Sequence, residues 1–166
     1  MKQFVLAAAA ILVPAAAFSE EAKPAAPEGA KVKGEGNYAM FDSLKWETPM
    51  GPEGPAFAFV EGDMKKKGPA AVFMKFPGGF DSGWHTHDGD YSAVAVKGTM
   101  THQVQGGTEK TLTPGSYWTQ PGKANHRNTC VQAGGACVIY ATLPKGFSFN
   151  AMTPEGKPVP HEKAPK

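Results

Sequence analysis

From residue 56 onward the apolar residues fall in short runs, each stopped by glycine, proline or a polar turn. Residues 56–60 and 70–76 form the first two runs, separated by a polar turn whose tip carries Lys65, Lys66 and Lys67. Three lysines there suit a solvated loop that discourages edge pairing. Pro77-Gly78-Gly79 stops the second run, and residues 84–87 and 91–97 follow. Gly98 ends that strand, residues 99–105 run back from it, and Gly106-Gly107 makes a hairpin turn into 108–112. Pro114-Gly115 turns the chain into 117–120, and residues 126–131 and 136–143 read as a closing hairpin. Strands at a spacing of about 8–12 residues, with no long 3.6-residue period, predict an all-β sandwich or barrel. Residues 145–149 read as a last edge segment.

The ends of the chain read differently. Residues 5–18 are almost wholly apolar behind Lys2, and Ala17-Phe18-Ser19 is a small-x-small cleavage site before Glu20. The run is short for a membrane span and Pro14 breaks it, so residues 1–19 read as a signal peptide rather than an uncleaved anchor. The expected location is periplasmic or secreted, with no stable membrane insertion once the leader is removed. Residues 20–36 are Ala, Pro, Lys, Glu and Gly without periodicity, the composition of a flexible linker. Residues 38–46 alternate weakly, as a strand or an ordered arm would. Residues 151–166, rich in Pro and Lys, read as a disordered tail in which His161 has no assigned role. The predicted folded domain is therefore 37–150.

Composition sharpens this picture. Seventeen basic and 15 acidic side chains give a net charge of +2, and no basic patch stands out, which argues against nucleic acid as a partner. Twenty glycines and 15 prolines suit a turn-rich β protein. The two cysteines, Cys130 and Cys137, flank Ala133-Gly134-Gly135. In an oxidising compartment a disulfide is the default, and a turn midway would set the two opposite each other. The rival reading is a thiolate metal ligand.

The chemistry centres on His85-Thr86-His87. Residues i and i+2 of a strand face one side, so both imidazoles aim at one spot. His126 follows a second Gly/Pro-rich stretch, and three convergent imidazoles would make a metal site. The alternative is three hydrogen-bonded histidines that hold no metal. His102 reads as an exposed or hydrogen-bonded strand residue rather than a fourth ligand. Trp84 and Trp118 border the two stretches as pocket wall or packing.

The spacing of these residues resembles the cupin family. Gly79, five residues, His85-Thr86-His87, three residues, Tyr91, six residues and Gly98 match its first motif. Gly115, five residues, Pro121, four residues and His126 match its second. The Asp88-Gly89-Asp90-Tyr91 form, with Pro114-Gly115-Ser116-Tyr117-Trp118 and Glu61-Gly62-Asp63, is similar to the anti-sigma-factor-related (ChrR-like), uncharacterised small cupin-domain proteins. The resemblance implies a single-domain cupin double-stranded β-helix, a jelly-roll barrel. It also implies one divalent transition metal (Fe, Zn, Ni, Mn or Cu) held by His85, His87 and His126.

The chain departs from the family pattern at three places. Tyr91 stands where the glutamate ligand usually lies, Lys123 where a glycine lies, and Cys130 where the closing asparagine lies. Tyr91, on the parity of the two histidines, reads as a phenolate ligand, a catalytic or hydrogen-bonding group beside the metal, or plain packing. Asp88, Asp90 and Glu109 are substitutes for the missing carboxylate, although Asp-Gly-Asp is ordinary turn chemistry.

Cupin folds serve many chemistries, so the fold does not name the activity. The expected function is a metal-dependent reaction of dioxygenase, lyase or isomerase type on a small organic substrate. The alternative is a non-catalytic module that binds or senses a metal or small ligand. Many cupins dimerise through their barrels, so the resemblance also raises a homodimer.

Overall fold

The computed structural model describes residues 36–160. The expected leader, residues 20–35 of the expected linker, and His161 lie outside the described residues. No helix among the described residues is long and apolar enough to cross a membrane.

Among the described residues, ten strands form two five-stranded antiparallel sheets. The first contains β1 (Ala56–Glu61), β2 (Ala70–Phe76), β4 (Tyr91–Lys97), β7 (Tyr117–Gln120) and β9 (Cys137–Leu143), in the order β1-β2-β9-β4-β7. The second contains β3 (His85–Thr86), β5 (Met100–Val104), β6 (Lys110–Leu112), β8 (His126–Cys130) and β10 (Asn150–Ala151), in the order β10-β3-β8-β5-β6. Period-two burial builds the interior. Val72 and Met74 of β2 and Ile139 and Ala141 of β9 turn inward, against Met100, Leu112 and Cys130 from the other sheet. In register, Ala93 lies between Ala141 and Trp118, and its small side chain leaves room for the buried indole. The Gly106-Gly107 hairpin forms as expected, pairing Met100 with Leu112 and His102 with Lys110.

Two expectations change and one narrows. The segments carrying the cysteines do not pair as a hairpin: β8 lies in one sheet and β9 in the other. The 3-10 turn Gln132–Gly134 carries the chain between the layers, and the fully buried Cys130 and Cys137 are joined across that corner with sulfurs 2.06 Å apart. A turn signal reports a reversal of direction, not which sheet the second strand enters. Of the two readings for residues 38–46, the strand gives way to the ordered arm: Phe41–Ser43 is a 3-10 turn, and Phe41 packs on Trp46 and Phe73 against the outer side of β2. The chain beyond 150 does not begin a disordered tail. Asn150–Ala151 pairs with β3, and Met152 bridges Pro158, so regular pairing continues past the expected domain end.

Candidate metal centre

The three histidines meet because of strand register. His85 of β3 and His126 of β8 are direct antiparallel partners, which brings their Cβ atoms to the close spacing of a cross-strand pair. Their ring centroids are 4.2 Å apart. His87 lies just past β3, its centroid 5.0 Å from His85 and 5.2 Å from His126. One ligand atom from each of the three falls within 4.8 Å of the other two.

Each ring is held by a backbone carbonyl. Nδ1 lies 3.0 Å from the Gly83 oxygen in His85 and 3.0 Å from the Ala124 oxygen in His126, and in His87 it contacts the Ser148 oxygen. A carbonyl only accepts, so all three Nδ1 atoms carry the proton and donate. The tautomer that follows leaves every Nε2 with a lone pair. Burial keeps the rings neutral. Desolvation pushes His85 down to about 4 and His126 down to about 3, against smaller opposing pulls from the carbonyls, and neighbouring imidazoles add to the depression. Desolvation also lowers His87.

Tyr91 reaches this cluster by a route the strand-parity argument did not foresee. It is not on the strand of His85: the chain crosses at residues 87–90, and Tyr91 opens β4 in the opposite sheet. Its hydroxyl nevertheless lies 3.4 Å from His126 Nε2, and Trp118 Nε1 donates to it at 3.4 Å. Burial raises the phenol to about 12, against the lowering effect of hydrogen bonds from Trp118 and Asn128. Trp118 is therefore packing that also supports Tyr91. Trp84 is not among the described residues that line the cavity beside the site.

The substitute carboxylates are engaged elsewhere. Asp90 accepts from the Gly122 amide at 2.7 Å, joining the two motif loops, and Asp88 accepts from Asn150 at 3.1 Å. Both are exposed, as is Glu109. His102 is buried rather than exposed, its centroid 5.5 Å from His126, and it is hydrogen bonded to Asn128 Oδ1 at 2.8 Å. That bond follows from register, since His102 and Asn128 are cross-strand partners.

A cavity of about 300 Å³ opens beside the cluster, with His85, His87 and Tyr91 on its wall and the fully buried His126 behind them. Sequence reasoning missed the segment that closes it. Phe147 and Phe149 line the cavity, Phe149 stacks on His85 at 4.5 Å, and the carbonyl of Ser148 between them orients His87. The alternation Phe147-x-Phe149 before a short β segment was the available signal.

Two facing antiparallel sheets make a jelly-roll fold of the kind cupins adopt. The chain belongs to the family described as Domain of unknown function (DUF4437), whose model matches residues 10–149. Solved cupins share the fold. KdgF from Halomonas sp. is 21% identical with a TM-score of 0.53, covering 67% of this chain and 96% of its own. An RmlC-like cupin from Shewanella frigidimarina NCIMB 400 is 19% identical with a TM-score of 0.54, covering 68% and 93%. The DMSP lyase DddQ from Ruegeria pomeroyi DSS-3 is 16% identical with a TM-score of 0.55, covering 70% and 64%. No curated protein matches the chain.

Proposed function

We propose that this chain is an exported cupin that binds one divalent transition metal through Nε2 of His85, His87 and His126 and acts on a small organic substrate. The observation that carries the reading is the shared tautomer. Two buried imidazoles, His85 and His126, and the half-buried His87 bring one nitrogen each within 4.8 Å of the others, and their Nδ1 atoms are committed to backbone carbonyls. A donor set of three neutral imidazoles suits Fe, Zn, Ni, Mn or Cu. When bound, such a metal supplies Lewis acidity, polarising a carbonyl or acidifying a bound water.

The chain's own residues do the rest. The carbonyls of Gly83, Ala124 and Ser148 fix the ligand rings, and such outer partners orient ligands and strengthen them as donors. Tyr91, a neutral phenol at ordinary pH and adjacent to His126 Nε2, is placed to donate its proton to a substrate oxygen at the cluster. Phe147, Phe149 and the apolar walls exclude water. The disulfide-distance cysteine pair supports an oxidising compartment.

Elemental analysis of the purified protein tests the site. One metal per chain is expected, with content falling below about a tenth in His87→Ala and in His126→Ala, because removal of one of three ligands leaves too few. Tyr91→Phe is expected to keep its metal and to lose turnover in metal-loaded assays with candidate substrates. Metal-free wild-type protein after metal reconstitution contradicts the site, and metal loss in Tyr91→Phe contradicts the proton-donor role in favour of direct ligation.

A further inference from the structure

The cavity wall is predominantly apolar. Five phenylalanines, Phe57, Phe76, Phe80, Phe147 and Phe149, share it with Met50, Met64 and Met74. No Asp, Glu, Lys or Arg lies among the described residues that line it. The few polar side chains are grouped around the imidazoles, where Phe149 stacks on His85, and most are already committed. Ser82 Oγ donates to the Gly83 carbonyl at 2.8 Å and accepts from the Asn128 amide at 2.9 Å. Asn128 Oδ1 is held by His102, and the Tyr91 hydroxyl sits between Trp118 Nε1 and His126 Nε2. That leaves the imidazole cluster, through Nε2 of His85 and His87 or through a metal held there, as the polar point that meets a guest.

We propose that this cavity selects a small apolar molecule carrying a single oxygen head group, a substituted phenol or a molecule of like shape, with its head at the imidazole cluster and its hydrocarbon part against the phenylalanines. The head-group placement rests on the function proposed above; the selection for an apolar body does not. A volume of about 300 Å³ is that of ~10 water molecules, enough for one ring with a short alkyl chain. A polyhydroxylated or multiply charged molecule would bury groups for which the wall has no partners, and each such loss is large.

Isothermal titration of the full chain, metal-loaded and chelator-stripped, with phenol, 4-methylphenol, 4-ethylphenol and 4-propylphenol tests this, with glucuronate as the polar counter-probe. Affinity is expected to rise ~4-fold per added carbon in both forms, the increment for burying one methylene. Glucuronate is expected to bind at least ~100-fold more weakly than 4-propylphenol. Phe147→Ser is expected to weaken 4-propylphenol at least ~10-fold, and Phe149→Ser, at an exposed mouth position, provides a second variant if the first does not fold. A flat series in both forms, or glucuronate binding as tightly as 4-propylphenol, overturns the inference. A rising series in a protein that takes up no metal upholds the apolar selection and overturns the metal site. Metal uptake with a flat series does the reverse.

Discussion

Lys123 holds a backbone conformation that favours glycine, with φ at 63°. Its amide donates to the His87 carbonyl at 2.7 Å, so the strained residue is tied directly to a candidate ligand. The cupin pattern places a glycine here, and the departure was visible in the sequence; that the chain keeps the left-handed turn regardless was not, because a motif records residue types and not dihedrals. A side chain in this region costs about 1–2 kcal/mol, and glycine returns roughly 0.5–1 kcal/mol of that as backbone entropy. Lys123→Gly is therefore expected to stabilise the protein by about 0.5–1 kcal/mol, read as a higher urea midpoint at unchanged slope. Lys123→Ala keeps the strain and should show no gain; an equal gain in both variants would place the effect in the lysine side chain instead. Tyr91 shows the same limit. Its parity argument assumed one strand running from His85 to Tyr91, and that strand breaks where the chain crosses between layers, so Tyr91 reaches the cluster from the opposite sheet.

Strands were the most legible elements, since β2 and β7 fall on the runs 70–76 and 117–120. Periodicity identifies a strand and its inward face; it carries no information about which of two sheets the strand joins. That is why β8 and β9 read as a hairpin and prove to be a crossing between layers. The bridge between Cys130 and Cys137 consequently staples one sheet to the other at the end of β8 remote from His126. Closing so short a loop removes about 2.5 kcal/mol of unfolded-state entropy in the chain-entropy account. The paired variant Cys130→Ala with Cys137→Ala is expected to lose at least that much in urea denaturation, because two fully buried sulfurs are removed as well. Metal content per folded chain should be unchanged, since the carbonyl contacts of all three histidines lie elsewhere. A variant that folds yet binds no metal would show that the staple sets the ligand geometry. The C-terminal segment was hidden for a related reason: β10 has only two residues, too few for any period to show.

At the scale of the molecule, the fold holds several imidazoles in an interior that disfavours their charge. An unfolded chain protonates them near 6.5, whereas the fold holds His85 to about 4 and His126 to about 3, with His87 shifted the same way. Between those values the unfolded chain binds more protons, so unfolding free energy rises with pH across the window. The stabilisation is complete above about 6.5 and is lost as pH falls toward the folded values. For metal-free protein the urea midpoint should be flat from pH 8 to 7 and decline from 6.5 to 5. The decline is at most ~1.4 kcal/mol per pH unit for each imidazole. That window lies above the carboxylate range, and Asp81 adds nothing to it because its bond to Arg127 lowers its titration further. His126→Leu should make the decline shallower, whatever its effect at pH 8. A midpoint that rises on acidification would mean that the fold prefers charged imidazoles. Lone pairs kept free by burial would then be the wrong account of why these three rings face one another.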